Sequence, residues 1–381
     1  MGSQFKISVL MACLNPGGYL QAAIDSCLSQ EGVEVELIVV DDGSTDGTTE
    51  WLMTLAAQNE NVHLINGPGT GPGAARNRAL SIATGDWVAI MDADDLMHPQ
   101  RLYKLVELAN KAGADISADQ LLAFTEGTDA RTTWPFIKAI LSVQGTPVSL
   151  ATLLTPTDGG FGSDLGYLKP VIRRSFLDAA NVRYDEKVRI GEDFDFLARL
   201  IAEGAHLIVS GIAMYFYRRH SASLSYRLNS MDADALIVAN KRFSDVYAEK
   251  IASIKPLLAK RTKALSEYRG AVRLVEALKA KKIRDVAIIV FSVPASLLIF
   301  GRFALEGVKK RVMREDDGAT QSPFPAGTVR VSPEILIQAR PDELDIETIL
   351  QIILPLSQAD AETKKRFQAD LGGAFWAGYL F

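Results

Sequence analysis

The 381-residue chain has only two cysteines, Cys13 and Cys27, and both stand among apolar residues. That excludes a disulfide scaffold or a cysteine-bound metal centre and predicts reduced core thiols. No Gly-Lys-Ser/Thr phosphate loop occurs, and no Gly-x-Gly-x-x-Gly with an acidic partner at dinucleotide spacing follows the first predicted strand. P-loop enzymes and Rossmann dehydrogenases are therefore disfavoured. Nor is there an excess of positive charge: a net charge of −5 argues against a nucleic-acid partner held by bulk electrostatics. The N-terminus, Met1-Gly2-Ser3-Gln4-Phe5-Lys6, runs straight into a strand and leaves no room for a signal peptide. What remains, 48% hydrophobic and 23% charged, is an ordinary globular composition, long enough for two or three domains with cores that need no staples.

The stretch around which the chain is organised is Trp87-Val88-Ala89-Ile90-Met91-Asp92-Ala93-Asp94-Asp95, an apolar run ending in three carboxylates. Flanked by Gly85 and Pro99, it reads as a buried strand whose C-terminal end opens into a polar crevice, the place where open α/β sheets bind ligands. Clustered carboxylates repel one another, and a divalent cation shared with a diphosphate explains them. The plainer alternative is that Asp94 and Asp95 cap the helix starting near Pro99.

Upstream, Lys6 to Met11 and Val35 to Val40 are predicted strands, the second ending in Asp41-Asp42-Gly43-Ser44-Thr45-Asp46-Gly47-Thr48. Ser44, Thr45 or Asp46 can cap the helix that follows. A third strand, Val62 to Ile65, leads into Gly67-Pro68-Gly69-Thr70-Gly71-Pro72-Gly73, read as a close backbone approach or a lid. The next helix begins Ala74-Ala75-Arg76-Asn77-Arg78. The β-α-β-α-β-α-β order predicts a doubly wound sheet, with Asp41, Asp42, Asp92, Asp94 and Arg76 lining one nucleotide-sized crevice. Beyond it, Asp115 to Phe124 and His206 to Arg219 are candidate strands. Trp134, Phe136, Phe161 and Tyr167 form either an aromatic wall for a sugar or ordinary core. Glu192 and Asp193 open an apolar helix, where the dipole favours their ionised form or is simply complemented by them. Met231-Asp232-Ala233-Asp234 nearly repeats the organising motif but precedes a helical pattern, so its aspartates are assigned to a first helical turn and to no metal.

Four segments in this order resemble the family 2 glycosyltransferases of the GT-A fold, nearest to bacterial succinoglycan and exopolysaccharide enzymes. They are Val39 to Thr48, Gly71 to Leu80, Met91 to Asp95 and Gly191-Glu192-Asp193. The resemblance spans roughly Lys6 to Ser225 and implies roles residue by residue. Asp41 or Asp42 would contact the uracil base, with Arg76 and Asn77 nearby on the nucleotide. Asp92 would meet the ribose or a metal-bound water, and Asp94 would ligate Mg2+ or Mn2+ on the diphosphate. Asp193 would be the general base, with Glu192 beside it as a further catalytic candidate. Arg218 or Arg219 would clamp phosphate, and His220 would be a second metal ligand. One departure stands out: the first strand ends Ala12-Cys13-Leu14-Asn15, where the family pattern is closer to Pro-x-Tyr-Asn, and Leu14 cannot stack on a base. Chemistry gives a separate reason for a carboxylate such as Asp193, since inverting transfer needs a base at the acceptor hydroxyl while a metal neutralises the leaving diphosphate.

The predicted organisation is an α/β GT-A domain over 1–225 and a helical region over 226–314, followed by a linker over 315–333 and an acidic amphipathic helical segment over 334–381. Within the helical region, Val286 to Gly301 is uncharged for 16 residues, interrupted by Pro294 and flanked by basic residues. At 16 residues it falls short of the roughly 20 that span a bilayer, and reads as a monotopic or re-entrant segment on an anionic leaflet, or else as a core or dimer helix. The sequence thus predicts an inverting, metal-dependent hexosyltransferase, peripheral at the cytoplasmic membrane face. It would use a UDP-sugar, most plausibly UDP-glucose, on a lipid-linked saccharide, with the C-terminal segment packing against the main body, another copy or a polysaccharide-assembly partner. The rival readings are a sugar-nucleotidyltransferase, for which Asn15-Pro16-Gly17-Gly18 lacks the basic residue, and a catalytically inactive glycosyltransferase-like scaffold.

Overall fold

The computed structural model describes residues 5–125, 132–139, 141–156, 163–220, 223 and 229–301. The chain divides into two compact units, the first holding residues up to Leu153 and Asp164–Arg219, the second Leu154–Ser163 and the chain from His220 to Thr328. The predicted 315–333 linker and 334–381 segment lie outside the described residues, as do Phe161 and the side chain of Trp134.

In the first unit the elements follow the predicted alternation. They are β1 (Lys6–Cys13), α1 (Leu20–Leu28), β2 (Glu34–Asp41), α2 (Thr48–Gln58), β3 (Val62–Asn66), α3 (Pro72–Ile82) and β4 (Trp87–Asp92). Then come β5 (Leu96–Met97), α4 (Arg101–Ala112), β6 (Ile116–Thr125), β7 (Thr132–Pro135), β8 (Thr146–Val148), α5 (Leu150–Leu154), β9 (Val171–Arg173), α6 (Arg174–Ala180), α7 (Glu192–Ala202) and β10 (Leu207–Arg219). One sheet joins them in the order β3-β2-β1-β4-β9-β6-β10-β5, with β7 on β6 and β8 on β10. Strands β1 to β4 are mutually parallel, while β9 runs antiparallel between β4 and β6. The parallel strands are mostly apolar, with β2 buried from Val35 to Asp41 and β4 from Trp87 to Met91, and the buried Ser8 hydroxyl of β1 donates to Glu36 of β2. This is an α/β GT-A domain.

The topology decides where the site lies. β1 pairs with β2 on one side and β4 on the other, so the chain order reverses at β1 and leaves a crevice beyond the strand ends. Register brings the motifs together there: Cys13 faces Asp41, and Ala12 faces Asp92. Gly85 allows β4 to enter this close against β1, since a Cβ there would lie 2.5 Å from the Ser8 backbone nitrogen.

The second unit is helical, with α8 (Ser230–Val246), α9 (Lys255–Lys279) and α10 (Ile283–Ser292). As expected, Asp232 sits in the first turn of α8, where it and Asn229 form a reciprocal capping box, while Asp234 pairs with Arg269 and Arg273 of α9. Leu236, Phe243, Leu258, Leu265 and Leu274 are buried in this unit. Cys13 and Cys27 are buried free thiols, as predicted, and burial pushes both up from the ordinary thiol range.

Candidate active site

The loops around the crevice are held by the acidic residues that open it. Asp41 accepts the Ser44 N–H at 2.9 Å and the Thr49 hydroxyl, which closes the turn into α2. Asp46 accepts the Thr48 N–H and hydroxyl, but the N-cap of that helix is Gly47 with no side-chain cap, so the cap expected at Ser44, Thr45 or Asp46 is not formed. Asp42 turns the other way, and its two oxygens accept Gly69 N–H and Gly71 N–H, both at 2.8 Å. The glycine-rich loop is thus a close backbone approach: a Cβ on Gly67 would lie 2.7 Å from the Asp42 Cα. Across the crevice, Asn15 adopts a left-handed conformation at φ 49° and zips the end of β1 to the same turn, its side chain accepting Thr45 N–H at 2.7 Å. Leu14 beside it is 58% exposed.

The floor is an ionic network that buries two cations among carboxylates. Arg76, in the second turn of α3 and 4% exposed, donates to Asp92 at 2.6 Å, Glu192 at 2.7 Å and Asp193 at 3.1 Å. Lys169, in the segment leading into β9, bridges Asp92 and Asp193 with 2.7 Å to each. Tyr184 stacks on Phe196 with ring centroids 4.1 Å apart and donates its hydroxyl to Asp193 at 3.2 Å. Asn77 pins this side by holding the Tyr184 backbone and the Glu186 carboxylate.

Burial opposes every charge in the cluster, yet the partners decide most of the signs. Lys169, followed by Arg76, holds the Asp92 carboxyl below its usual range despite burial. Burial alone would lower Lys169, but Asp193 and Asp92 raise it well above its ordinary value. Glu192 goes the other way, pushed up to about 7 by burial and then by the Asp193 charge, against the pull of Arg76. As expected, Glu192 and Asp193 occupy the first turn of α7, whose N-cap is Gly191 in a left-handed conformation.

The acidic turn after β4 is clamped by β10. Tyr215 receives the Asp92 N–H at 3.2 Å and donates to Asp95 at 2.7 Å, while Arg218 N–H reaches the other Asp95 oxygen at 2.7 Å. The Arg218 side chain donates to the Asp94 carbonyl and lies 4.7 Å over the rings of Tyr19 and Phe124. Capping is not what Asp95 does, since α4 starts at Arg101 with no side-chain cap. Behind the clamp, Arg101 and Asp119 form a wholly buried pair; Arg101 also donates to the Lys169 carbonyl and stacks over Tyr215 at 4.8 Å. Of the predicted aromatics, Phe136 and Tyr167 are brought together with Tyr217.

Asp92, Asp94 and Asp95 can present one oxygen each within 4.8 Å of one another. An all-oxygen set of this kind suits a hard divalent cation such as Mg2+ or Mn2+. The strain in the set favours that fit: burial, then Asp94 and Asp92, raises Asp95 well above the carboxylate range, and an added cation relieves such repulsion. Within this set Asp92 accepts from Arg76 and Lys169, and Asp95 from Tyr215 and the Arg218 N–H. His220 belongs to the second unit.

Sequence reasoning placed Asp41, Asp42, Arg76, Asn77, Asp92, Asp94, Glu192, Asp193 and Arg218 in the first unit's crevice walls, with Arg219 ending β10. It missed Lys169, Tyr184, Tyr215 and the Arg101–Asp119 pair. For Lys169 a signal existed, because a single lysine interrupts the otherwise uncharged run from Leu165 to Ile172.

Comparison with known proteins agrees with this geometry. The glycosyl transferase family 2 model matches residues 8–152. The chain is 35% identical over 280 residues to the succinoglycan biosynthesis protein ExoO of Rhizobium meliloti (strain 1021), covering 73% of this chain and 78% of that protein. To ExoU of the same organism it is 31% identical over 251 residues, covering 62% and 71%. The crystal structure of S. aureus TarS 1-349 in complex with UDP-GlcNAc is a fold neighbour at TM-score 0.49 and 19% identity, covering 75% of this chain and 91% of that one. The strand order, the acidic turn after β4 and the extent of the match to ExoO make this chain a member of glycosyltransferase family 2.

Proposed function

We propose that the chain transfers a hexose, glucose in the first instance, from a UDP-sugar to a lipid-linked saccharide during exopolysaccharide assembly, with inversion at the anomeric carbon. The observation that carries the reading is the Asp92–Lys169–Asp193 bridge, in which one ammonium separates the carboxylate at the acidic turn from the carboxylate at the α7 N-terminus. In this reading the donor diphosphate lies at the turn and the acceptor hydroxyl at α7. In the transfer step the acceptor oxygen bonds to the anomeric carbon as its proton passes to Asp193, and the carbon–oxygen bond to the diphosphate breaks. Asp94 would hold Mg2+ or Mn2+, and the metal would neutralise charge on the leaving diphosphate. Asp41 or Asp42 meets the uracil, Asp92 the ribose or a metal-bound water, and Arg76 with Lys169 orients Asp193. Asn77 acts through the Tyr184 loop, and Arg218 or Arg219 faces the phosphates. Support for exopolysaccharide assembly comes from the relatives named succinoglycan biosynthesis proteins.

Calorimetric titration with UDP, with and without Mn2+, tests the donor half. Metal-dependent binding that disappears in Asp94→Ala is expected, and metal-independent binding in that variant overturns the assignment. Asp193→Asn should bind UDP normally and lose transfer, with the anomeric configuration of the wild-type product read by NMR.

A further inference from the structure

Helix α10 has the sequence IRDVAIIVFS and not one buried residue. Ile283 is 83% exposed, Phe291 85% and, just beyond the helix, Leu298 75%. A helix this apolar is normally covered. Its surroundings say by what. Lys279, Lys281, Lys282 and Arg284 stand exposed at its start, against a single acid, Asp285. Val286 to Gly301 has no charge, and the sequence then resumes with Arg302, Glu306, Lys309, Lys310, Arg311 and Arg314 before Glu315, Asp316 and Asp317. A cluster of cations therefore precedes the apolar run in a chain whose net charge is −5.

Helix α10 is itself too short to cross a bilayer. Ten helical residues rise about 15 Å, half of a hydrocarbon core of roughly 30 Å. Among the described residues no helix is long and apolar enough to span a membrane. After α10 the turn at Pro294 returns to α9, where buried Ser296 packs on Gly270; a Cβ at Gly270 would lie 2.9 Å from that of Ser296. The element is thus folded back on α9 with its outer surface bare.

We propose that α10 and the turn after it form a monotopic docking element for an anionic lipid leaflet, the apolar side chains entering the acyl boundary and the basic collar facing the headgroups. Charge complementarity favours this occupant, since exposed Lys279, Lys281, Lys282 and Arg284 stand beside exposed apolar side chains, the combination an anionic leaflet takes up. The proposal does not depend on the donor or the reaction, although a lipid-linked acceptor would lie at the same surface.

The test is sedimentation of the full-length protein with phosphatidylcholine vesicles, with and without phosphatidylglycerol, at low and high salt. Binding to the anionic vesicles that weakens with salt is expected. The triple variant Lys281→Gln, Lys282→Gln, Arg284→Gln should lose about a hundredfold in affinity, from roughly a fivefold contribution per cation. Phe291→Ser should lose about tenfold or more, and because its side chain is bare the fold should be unaffected by circular dichroism. Absence of binding, or equal binding to neutral vesicles, overturns the proposal. So does a concentration-dependent dimer, seen by sedimentation velocity, that Phe291→Ser dissolves. No nucleotide or turnover enters the assay, so its failure leaves glycosyl transfer standing, and failure of glycosyl transfer leaves docking standing.

Discussion

Removing the Lys169 ammonium leaves Asp92 and Asp193 each short of a counter-charge in a largely buried cluster. Stripping one partner from a buried ionic network costs about 3–5 kcal/mol, because the charge left behind is neither solvated nor paired. Lys169→Met is therefore expected to destabilise the protein by about 3 kcal/mol in urea unfolding. Lys169→Met with Asp193→Asn should cost less than the sum of the singles, since the stranded carboxylate is gone. Glu192 makes a second residue-scale prediction. Its carboxyl is raised from 4.5 to about 7, so the folded state keeps a proton that the unfolded chain has released. That contribution to stability is complete below about pH 4.5 and lost as pH rises through about 7. Relative to Glu192→Gln, the wild type should lose on the order of 1–3 kcal/mol between these limits, and unfolding midpoints that track each other across the range would refute it. None of this was legible residue by residue. Arg76 and Asp193 could be named from motif and helix position, but Lys169 and Tyr184 acquire meaning only when the fold brings distant segments to the same two oxygens.

At the scale of elements, periodicity and punctuation carried the reading far, because the parallel strands are mostly apolar and are followed by acidic or glycine-containing turns. The expected strands from Asp115 and from His206 are β6 and β10, paired in parallel. Unreadable was the function of β10, whose register irregularity between Ser210 and Tyr215 sets Tyr215 and Arg218 against the acidic turn. Tyr215→Phe removes the hydroxyl that accepts from Asp92 and donates to Asp95. A loss of about 1–3 kcal/mol in stability is expected, with metal-dependent UDP affinity weakened in calorimetry because the turn bearing Asp94 is no longer clamped. The glycine-rich loop gives the reciprocal case. In Gly67→Ala the new Cβ collides with the Asp42 backbone, which cannot yield as a flexible side chain would. Overpacking of this kind costs about 1–3 kcal/mol and should be read in both the unfolding midpoint and a weaker UDP isotherm; an unchanged isotherm would separate the loop from the donor pocket.

For the whole molecule, the division into an α/β unit and a helical unit makes ligand binding a local stabilisation rather than a global one. The crevice, its acidic turn and the ionic floor all belong to the first unit, while α8 and α9 share a separate buried core. A ligand that binds only the folded first unit stabilises it by about 2.7 kcal/mol at a hundred times its dissociation constant. For a unit of about 200 residues that raises the midpoint by roughly 5–10 °C. Calorimetric melting with UDP and Mn2+ should therefore move the α/β transition and leave the helical one in place, splitting a single endotherm or widening an existing separation. Asp94→Ala should abolish the metal-dependent part of the shift, whereas Phe291→Ser should leave it intact. A rise of both transitions by the same amount would mean that the two units unfold as one cooperative block, and the nucleotide would then be read by the whole chain.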